Sequence, residues 1–90
     1  MNIEELYTVI EERIKNKNNK SYTNKLFKLG PKVIAQKMGE ETTELIIDYL
    51  KGSKKRTIEE AADVIYHLLV LLKSKKITLK EINKELSKRH

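Results

Sequence analysis

The stretch that decides the fold is residues 59–72, which run EEAADVIYHLLVLL. Apolar side chains fill most positions from Val64 to Leu72 and point in every direction around a helix, with His67 as a polar interruption. A helix that is apolar nearly all round must be buried on most of its sides. Three other helices in a chain of 90 residues would leave part of it uncovered. We therefore expect a second copy of the chain to complete the core as a homodimer.

Helical spacing continues on both sides of this stretch. The apolar residues Ile3, Leu6, Ile10 and Ile14 recur at helical intervals, and no segment shows the alternation of a strand. We predict four main helices at 3–16, 31–51, 57–73 and 78–89, with a short helical turn at 25–28 capped by Thr23 and a polar break at 16–20. The predicted fold is an all-α antiparallel bundle of four main helices in one domain, residues 1–90, with its core completed by dimerisation.

Glycine, proline and threonine mark the predicted helix ends. Pro31 suits the first position of one helix, and Gly52 suits its end. Thr57 with Glu60, and Thr78 with Glu81, have the spacing of a capping box, in which a threonine and a glutamate three residues later satisfy free backbone N–H groups. These patterns place the start of the third helix at Thr57 and of the fourth near Thr78.

The composition excludes several classes of protein. There is no cysteine, so disulfides and thiolate metal sites are absent. The acidic N-terminus does not resemble a signal peptide, and the longest apolar run is too short to span a bilayer. We expect no association with a membrane, and the absence of cysteine is compatible with the reducing cytoplasm. The net charge of +6 suits an anionic partner, either a nucleotide or a nucleic acid.

Two acidic motifs lie on neighbouring predicted helices. The first is Glu40-Glu41-Thr42-Thr43-Glu44 and the second is Glu60-Ala61-Ala62-Asp63. Residues three apart on a helix share a face, and like charges placed in this way repel one another. A helical hairpin that turns near 53–54 brings Glu44 level with Asp63. Glu41, Glu44, Glu60 and Asp63 are therefore expected to converge between the two helices.

A cation among these acids explains their arrangement. Carboxylates are hard oxygen ligands and suit Mg²⁺, with Mn²⁺ as the second choice. Neither motif contains the Glu-x-x-His of di-iron bundles, and His67 is more typical of a core or supporting residue than of a ligand. The chain has no glycine-rich phosphate loop. Phosphate chemistry would therefore rest on a metal ion and on lysine or arginine side chains.

The acidic motifs resemble the EExxE…ExxD signature of the MazG-like all-α nucleotide pyrophosphohydrolases. Further segments are similar to the phosphoribosyl-ATP pyrophosphatase family, namely LYTVIEER (6–13), SYTNKLF (21–27), AQKMGEE (35–41), EEAADVIYHLLVLL (59–72) and the C-terminal LSKRH (86–90). The resemblance covers nearly the whole chain. It implies Mg²⁺-dependent hydrolysis of phosphoribosyl-ATP to phosphoribosyl-AMP and pyrophosphate, the second step of histidine biosynthesis, by a cytoplasmic homo-oligomer that is usually a dimer.

The resemblance also implies roles for individual residues. Glu41, Glu44, Glu60 and Asp63 match the metal ligands of the family by position, and Glu40 is the candidate for orienting or deprotonating water.

Basic and aromatic side chains are candidates for substrate binding. Lys25 and Lys37 lie within the matching segments and are the first candidates for holding phosphate charge. The other basic candidates are Lys28, Lys54, Lys55 and Arg56. Tyr22 is a candidate for stacking on adenine, although a packing role is an equal alternative.

Three alternatives remain open at this stage. A housecleaning pyrophosphatase for nucleoside triphosphates would share the acidic site, but segment 21–27 favours the phosphoribosyl-ATP family. A basic helical nucleic-acid-binding module would concentrate its lysines on one face, whereas here they are scattered, so we expect no nucleic-acid partner. A purely structural helical dimer would leave the buried acids without a role.

Overall fold

The computed structural model describes residues 1–16 and 21–90. These residues form five helices and no strand, in the order α1 (Ile3–Lys15), α2 (Tyr22–Leu29), α3 (Pro31–Lys51), α4 (Lys54–Ser74) and α5 (Leu79–Arg89). The predicted all-α class is confirmed. The predicted polar break at 16–20 lies, apart from Asn16, outside the described residues. Within the described ranges, no helix combines the length and apolar character needed to cross a membrane.

The predicted helical turn at 25–28 is part of a longer helix, α2, which has eight residues and accompanies the four predicted main helices. Its N-cap is Ser21, whose hydroxyl accepts a hydrogen bond from the backbone N–H of Asn24 at 3.4 Å. The predicted cap, Thr23, is fully buried, and its hydroxyl pairs with that of Tyr66 on α4. Because the hydroxyl of Thr23 is hydrogen-bonded to Tyr66, it does not cap its own helix, and Ser21 is the N-cap instead.

The start of α4 also differs from the prediction. The helix begins at Lys54, and the hydroxyl of Ser53 accepts from the N–H of Arg56 at 3.1 Å. Thr57 is therefore one turn inside the helix, where its hydroxyl donates to the backbone oxygen of Ser53 at 2.9 Å. The same hydroxyl lies 3.2 Å from the backbone oxygen of Asp48 on α3. A serine immediately after Gly52 caps the helix as well as a threonine would, and it allows the shorter connection.

The predicted capping box of α5 is confirmed. The N–H of Glu81 donates to the hydroxyl of Thr78 at 3.2 Å, and the Glu81 carboxylate accepts from the N–H of Thr78 at 3.0 Å. The Glu81 carboxylate also accepts from the hydroxyl of Thr78 at 3.1 Å, and the hydrogen bonds that it accepts from the N–H and the hydroxyl of Thr78 lower its pKa. Tyr7 fixes the chain just before this helix, because its hydroxyl donates to the backbone oxygen of Ile77 at 2.7 Å.

The centre of the fold is an antiparallel hairpin of α3 and α4, each 21 residues long. Only Gly52 and Ser53 join the two helices. A Cβ atom at position 52 would lie 2.8 Å from Oδ1 of Asp48 and 2.9 Å from its backbone oxygen, so this tight connection requires glycine. At the other end of α3, Gly30 has a φ of 93°, and Pro31 takes the first helical position. Both predicted ends of this helix are confirmed.

The core lies where α1 and α2 pack against the hairpin. Its buried apolar side chains come from four helices and are Tyr7, Ile10, Leu26, Ile34, Leu69, Val70 and Leu72. One chain covers most of the apolar α4, and within 64–72 only Leu68 is exposed, at 37%. Five exposed apolar side chains lie near the closed end of the hairpin, namely Ile46, Ile47, Tyr49, Leu50 and Ile58, while Ile3, Leu29 and Leu86 are exposed on other helices.

Candidate functional site

Three carboxylates meet between the two helices of the hairpin. Glu41 comes from α3, and Glu60 and Asp63 come from α4. One oxygen of each lies within 4.8 Å of the others. The antiparallel pairing causes this convergence, because it places the acidic turn of α3 beside the first half of α4. The structure therefore brings together three of the four acids that the sequence predicts to converge.

Glu44, the fourth predicted acid, lies beside Glu60 and outside that group of three. Burial is the main cause that raises the pKa of Glu60. The negative charge of Glu44 raises this pKa further, as does that of Asp63, while Arg56 lowers it. Glu44 is thus an immediate electrostatic neighbour of the cluster.

The two oxygens of Glu60 have different surroundings. Oε1 accepts a hydrogen bond from Nη2 of Arg56 at 3.1 Å. Oε2 is buried and has no hydrogen-bond partner among the described atoms. The neighbouring Glu44 carboxylate also only accepts when it is ionised, so it does not satisfy Oε2 without a proton or a cation between them. A buried acceptor of this kind is costly.

The surroundings of Glu60 fit a bound cation. The available ligand atoms are carboxylate oxygens, one from each residue lies within 4.8 Å of the others, and Oε2 of Glu60 is buried without a partner among the described atoms. A hard divalent cation such as Mg²⁺ prefers this type of ligand. Glu41, Glu60 and Asp63 are the residues that fit such an ion, with Glu44 at its edge.

Arg56 balances part of this negative charge. It precedes the helix predicted at 57–73, but in the structure it lies in the first turn of α4. Its guanidinium contacts Glu60 at 3.1 Å and both Asp48 and Glu59 at 3.6 Å. Arg56 therefore lies against the acidic cluster and on the hairpin surface at the same time.

Glu40 and Lys37 form a pair next to the cluster. The Glu40 carboxylate accepts from Nε2 of Gln36 at 3.0 Å and lies 3.4 Å from Nζ of Lys37. These two hydrogen bonds lower the pKa of Glu40. The hydrogen bond to Glu40 also raises the pKa of Lys37. Both side chains are partly exposed, so they are open to a ligand.

The two predicted binding residues of α2 are both exposed. Tyr22 is 45% exposed, and its hydroxyl lies 3.3 Å from Nε2 of His67. Its ring stacks against that of Tyr66 with centroids 6.2 Å apart. Lys25, one turn further along α2, is exposed and forms no ion pair among residues 1–16 and 21–90.

Two polar groups of α4 were not predicted as parts of the site. His67 is buried one turn after Asp63, and its Nδ1 lies 2.8 Å from the backbone oxygen of Asp63. Tyr66 pairs with Thr23, and burial raises its pKa. The spacing of four residues between Asp63 and His67 is a local signal that links this histidine to the site. No local signal connects Tyr66 with Thr23.

Fold and site together define a class: an all-α protein with a carboxylate cluster, suited to a divalent cation, inside a helical hairpin. The family model for phosphoribosyl-ATP pyrophosphohydrolase matches residues 3–90. The chain belongs to that family.

Curated relatives agree with this assignment. A phosphoribosyl-ATP pyrophosphatase of Sulfolobus acidocaldarius is 46% identical over 87 residues, which cover 97% of this chain and 92% of that protein. One from Clostridium acetobutylicum is 51% identical over 88 residues, covering 98% and 80%. One from Clostridium novyi is 48% identical over 87 residues, covering 97% and 79%.

Proposed function

We propose that this protein hydrolyses phosphoribosyl-ATP to phosphoribosyl-AMP and pyrophosphate, in the second step of histidine biosynthesis. The observation that carries the proposal is the three-carboxylate cluster with its unpartnered Glu60 oxygen, found in a chain of the phosphoribosyl-ATP pyrophosphohydrolase family. The sequence-based expectation of a cytoplasmic location stays a prediction.

The proposed metal ion is Mg²⁺, with Mn²⁺ as a substitute. Glu41, Glu60 and Asp63 would hold it, with Glu44 as a fourth carboxylate close by. When bound, such an ion neutralises phosphate charge and makes coordinated water more acidic.

Side chains of α2 and α3 are assigned the remaining tasks. Lys37 has a raised pKa and stays positive at neutral pH, so it suits a phosphate oxygen. Lys25 is the second proposed phosphate contact. Glu40 has a lowered pKa and stays ionised, which suits a hydrogen-bond acceptor that orients water better than a strong base. Tyr22 offers an exposed ring for the purine.

One assay tests this function against the housecleaning alternative. Pyrophosphate release is measured with phosphoribosyl-ATP, ATP and dCTP under identical conditions. We expect the specificity constant for phosphoribosyl-ATP to exceed the other two. Faster turnover of ATP or dCTP would overturn the assignment and would support a housecleaning pyrophosphatase.

We also propose that the protein acts as a homodimer. Five apolar side chains near the closed end of the hairpin are each more than half exposed, namely Ile46, Ile47, Tyr49, Leu50 and Ile58. A group of exposed apolar side chains on a small chain is typical of an interface. The support for a dimer thus comes mainly from the hairpin end, and only through Leu68 from the stretch 64–72 on which the sequence argument relied.

A further inference from the structure

The contact between α2 and α4 is built from polar and aromatic side chains beside the carboxylate cluster. His67 is buried at 7% exposure and lies edge-on to the rings of both Tyr22 and Tyr66. Both of its ring nitrogens are used. Nδ1 is 2.8 Å from the backbone oxygen of Asp63, and Nε2 is 3.3 Å from the hydroxyl of Tyr22.

The partners of a neutral His67 determine its tautomer. A backbone carbonyl oxygen only accepts hydrogen bonds, so Nδ1 must carry the hydrogen in its contact with Asp63. Nε2 of a neutral imidazole is then an acceptor, and the hydroxyl of Tyr22 donates to it. The histidine therefore links the backbone of one proposed metal ligand to the tyrosine ring.

The position of Tyr22 suits contact with the base of a nucleotide. Its hydroxyl is anchored, one face stacks on Tyr66, and nearly half of its surface is open. Tyr22 is also an electrostatic neighbour of Lys37, after the closer Glu40, which places the ring near that proposed phosphate contact. An open aromatic face near a proposed phosphate contact, linked through His67 to the backbone of a proposed metal ligand, fits a purine base that stacks on the ring while its phosphate chain extends towards the carboxylate cluster.

We propose that His67 is a positioning residue that holds the ring of Tyr22, through Nε2, as the wall against which the purine of the substrate stacks. The inference rests on the proposed function, because it takes a purine nucleotide as the ligand of the carboxylate site.

Two substitutions of His67 test the hydrogen bonds of its two ring nitrogens separately. The amide of glutamine reaches near the position of Nε2, whereas that of asparagine reaches only near Nδ1. His67→Gln thus retains an acceptor for Tyr22, and His67→Asn retains a donor to Asp63. Tyr22→Phe removes the donor on the other side of the same hydrogen bond.

The affinity for ATP is measured by calorimetry with Ca²⁺ in place of Mg²⁺ to suppress turnover. Tripolyphosphate, which has no base, is the control ligand. We expect His67→Asn and Tyr22→Phe each to weaken ATP binding about two- to tenfold, as the loss of one neutral hydrogen bond predicts. The double variant should be no weaker than the singles, because both remove the same bond. His67→Gln should recover most of the affinity, and tripolyphosphate should bind equally in all variants.

Several results would overturn the proposal. One is an ATP affinity in Tyr22→Phe equal to that of the wild type, and another is an equal loss of ATP affinity in His67→Gln and His67→Asn. The proposal also fails if the variants lose as much affinity for tripolyphosphate as for ATP, or if the wild-type protein does not bind ATP. If His67→Asn does not fold, the comparison of Tyr22→Phe with wild type decides, since that ring is partly exposed. A wild-type protein that fails to hydrolyse phosphoribosyl-ATP but keeps this order of affinities would refute the proposed function and leave the role of His67 standing.

Discussion

Glu60→Gln is the sharpest test of the carboxylate cluster. The change keeps the shape of the side chain and removes its charge. In the metal-free protein one oxygen of Glu60 is buried without a partner, and Glu44 lies beside it. An amide group at that place donates a hydrogen bond to Glu44 where the carboxylate only repels it. We therefore expect the metal-free variant to melt at a higher temperature than the wild type at neutral pH.

The pH dependence of this difference follows from the raised pKa of Glu60, caused first by burial and then by Glu44. A raised pKa means that the folded protein favours the protonated acid. Its contribution to stability is complete below the ordinary value of 4.5 and is lost as the pH rises through the raised value. The variant has no such titration. The melting temperature of Glu60→Gln minus that of the wild type should be close to zero below pH 4.5 and should increase as the pH rises above 4.5.

Metal binding should change in the opposite direction. A cation at 100 times its dissociation constant stabilises a folded protein by about 2.7 kcal/mol. For a domain of this size that corresponds to a rise in melting temperature of about 10–20 °C. Loss of a direct ligand should weaken binding by at least about 100-fold, because even residues behind the ligands change affinity 10–100-fold. The same metal concentration then contributes about 0.4 kcal/mol, or about 2–3 °C.

Thermal melts followed by circular dichroism, with EDTA and then with MgCl₂ or MnCl₂, measure both effects. Glu59→Gln is the matched control, since its carboxylate is half exposed and also contacts Arg56. The control should keep the metal-induced rise. A Glu60→Gln variant with the full rise, or one less stable than wild type without metal at neutral pH, would refute the cation site.

Three further predictions concern activity and assembly. Asp63→Asn should abolish pyrophosphate release while the helical circular dichroism spectrum is kept, and turnover near the wild-type rate would remove Asp63 from the mechanism. EDTA should likewise abolish pyrophosphate release by the wild type, and turnover near the untreated rate would remove the metal. Lys25→Ala should lower kcat/KM for phosphoribosyl-ATP about ten- to a hundredfold, the loss of a hydrogen bond to a charged group, with unchanged metal affinity; unaltered kinetics would make Lys25 an ordinary surface lysine. Ile47→Glu should shift sedimentation equilibrium from dimer towards monomer at micromolar concentration, whereas a wild-type protein that is already monomeric and active would contradict the dimer.

The sequence by itself determined the four main helices and the meeting of three of the four acids, because these depend on local periodicity and on a short turn between two helices. A turn of 100° per residue fixes which side chains share a face, and Gly52 fixes where the chain reverses. These two features predict that Glu41, Glu44, Glu60 and Asp63 converge, and Glu41, Glu60 and Asp63 do come together. The family resemblance was likewise available from segments of the chain alone.

Other features were decided only by the tertiary structure. Ser21 caps α2 because the hydroxyl of Thr23 is hydrogen-bonded to Tyr66, a residue 43 positions away. The bond between Tyr22 and His67 spans 45 positions, and no local pattern encodes such a contact. The unpartnered oxygen of Glu60 arises because the packed hairpin removes water from one side of a carboxylate while Arg56 satisfies the other. Periodicity states which face a residue occupies, but burial and hydrogen-bond partners depend on what the rest of the chain brings to that face.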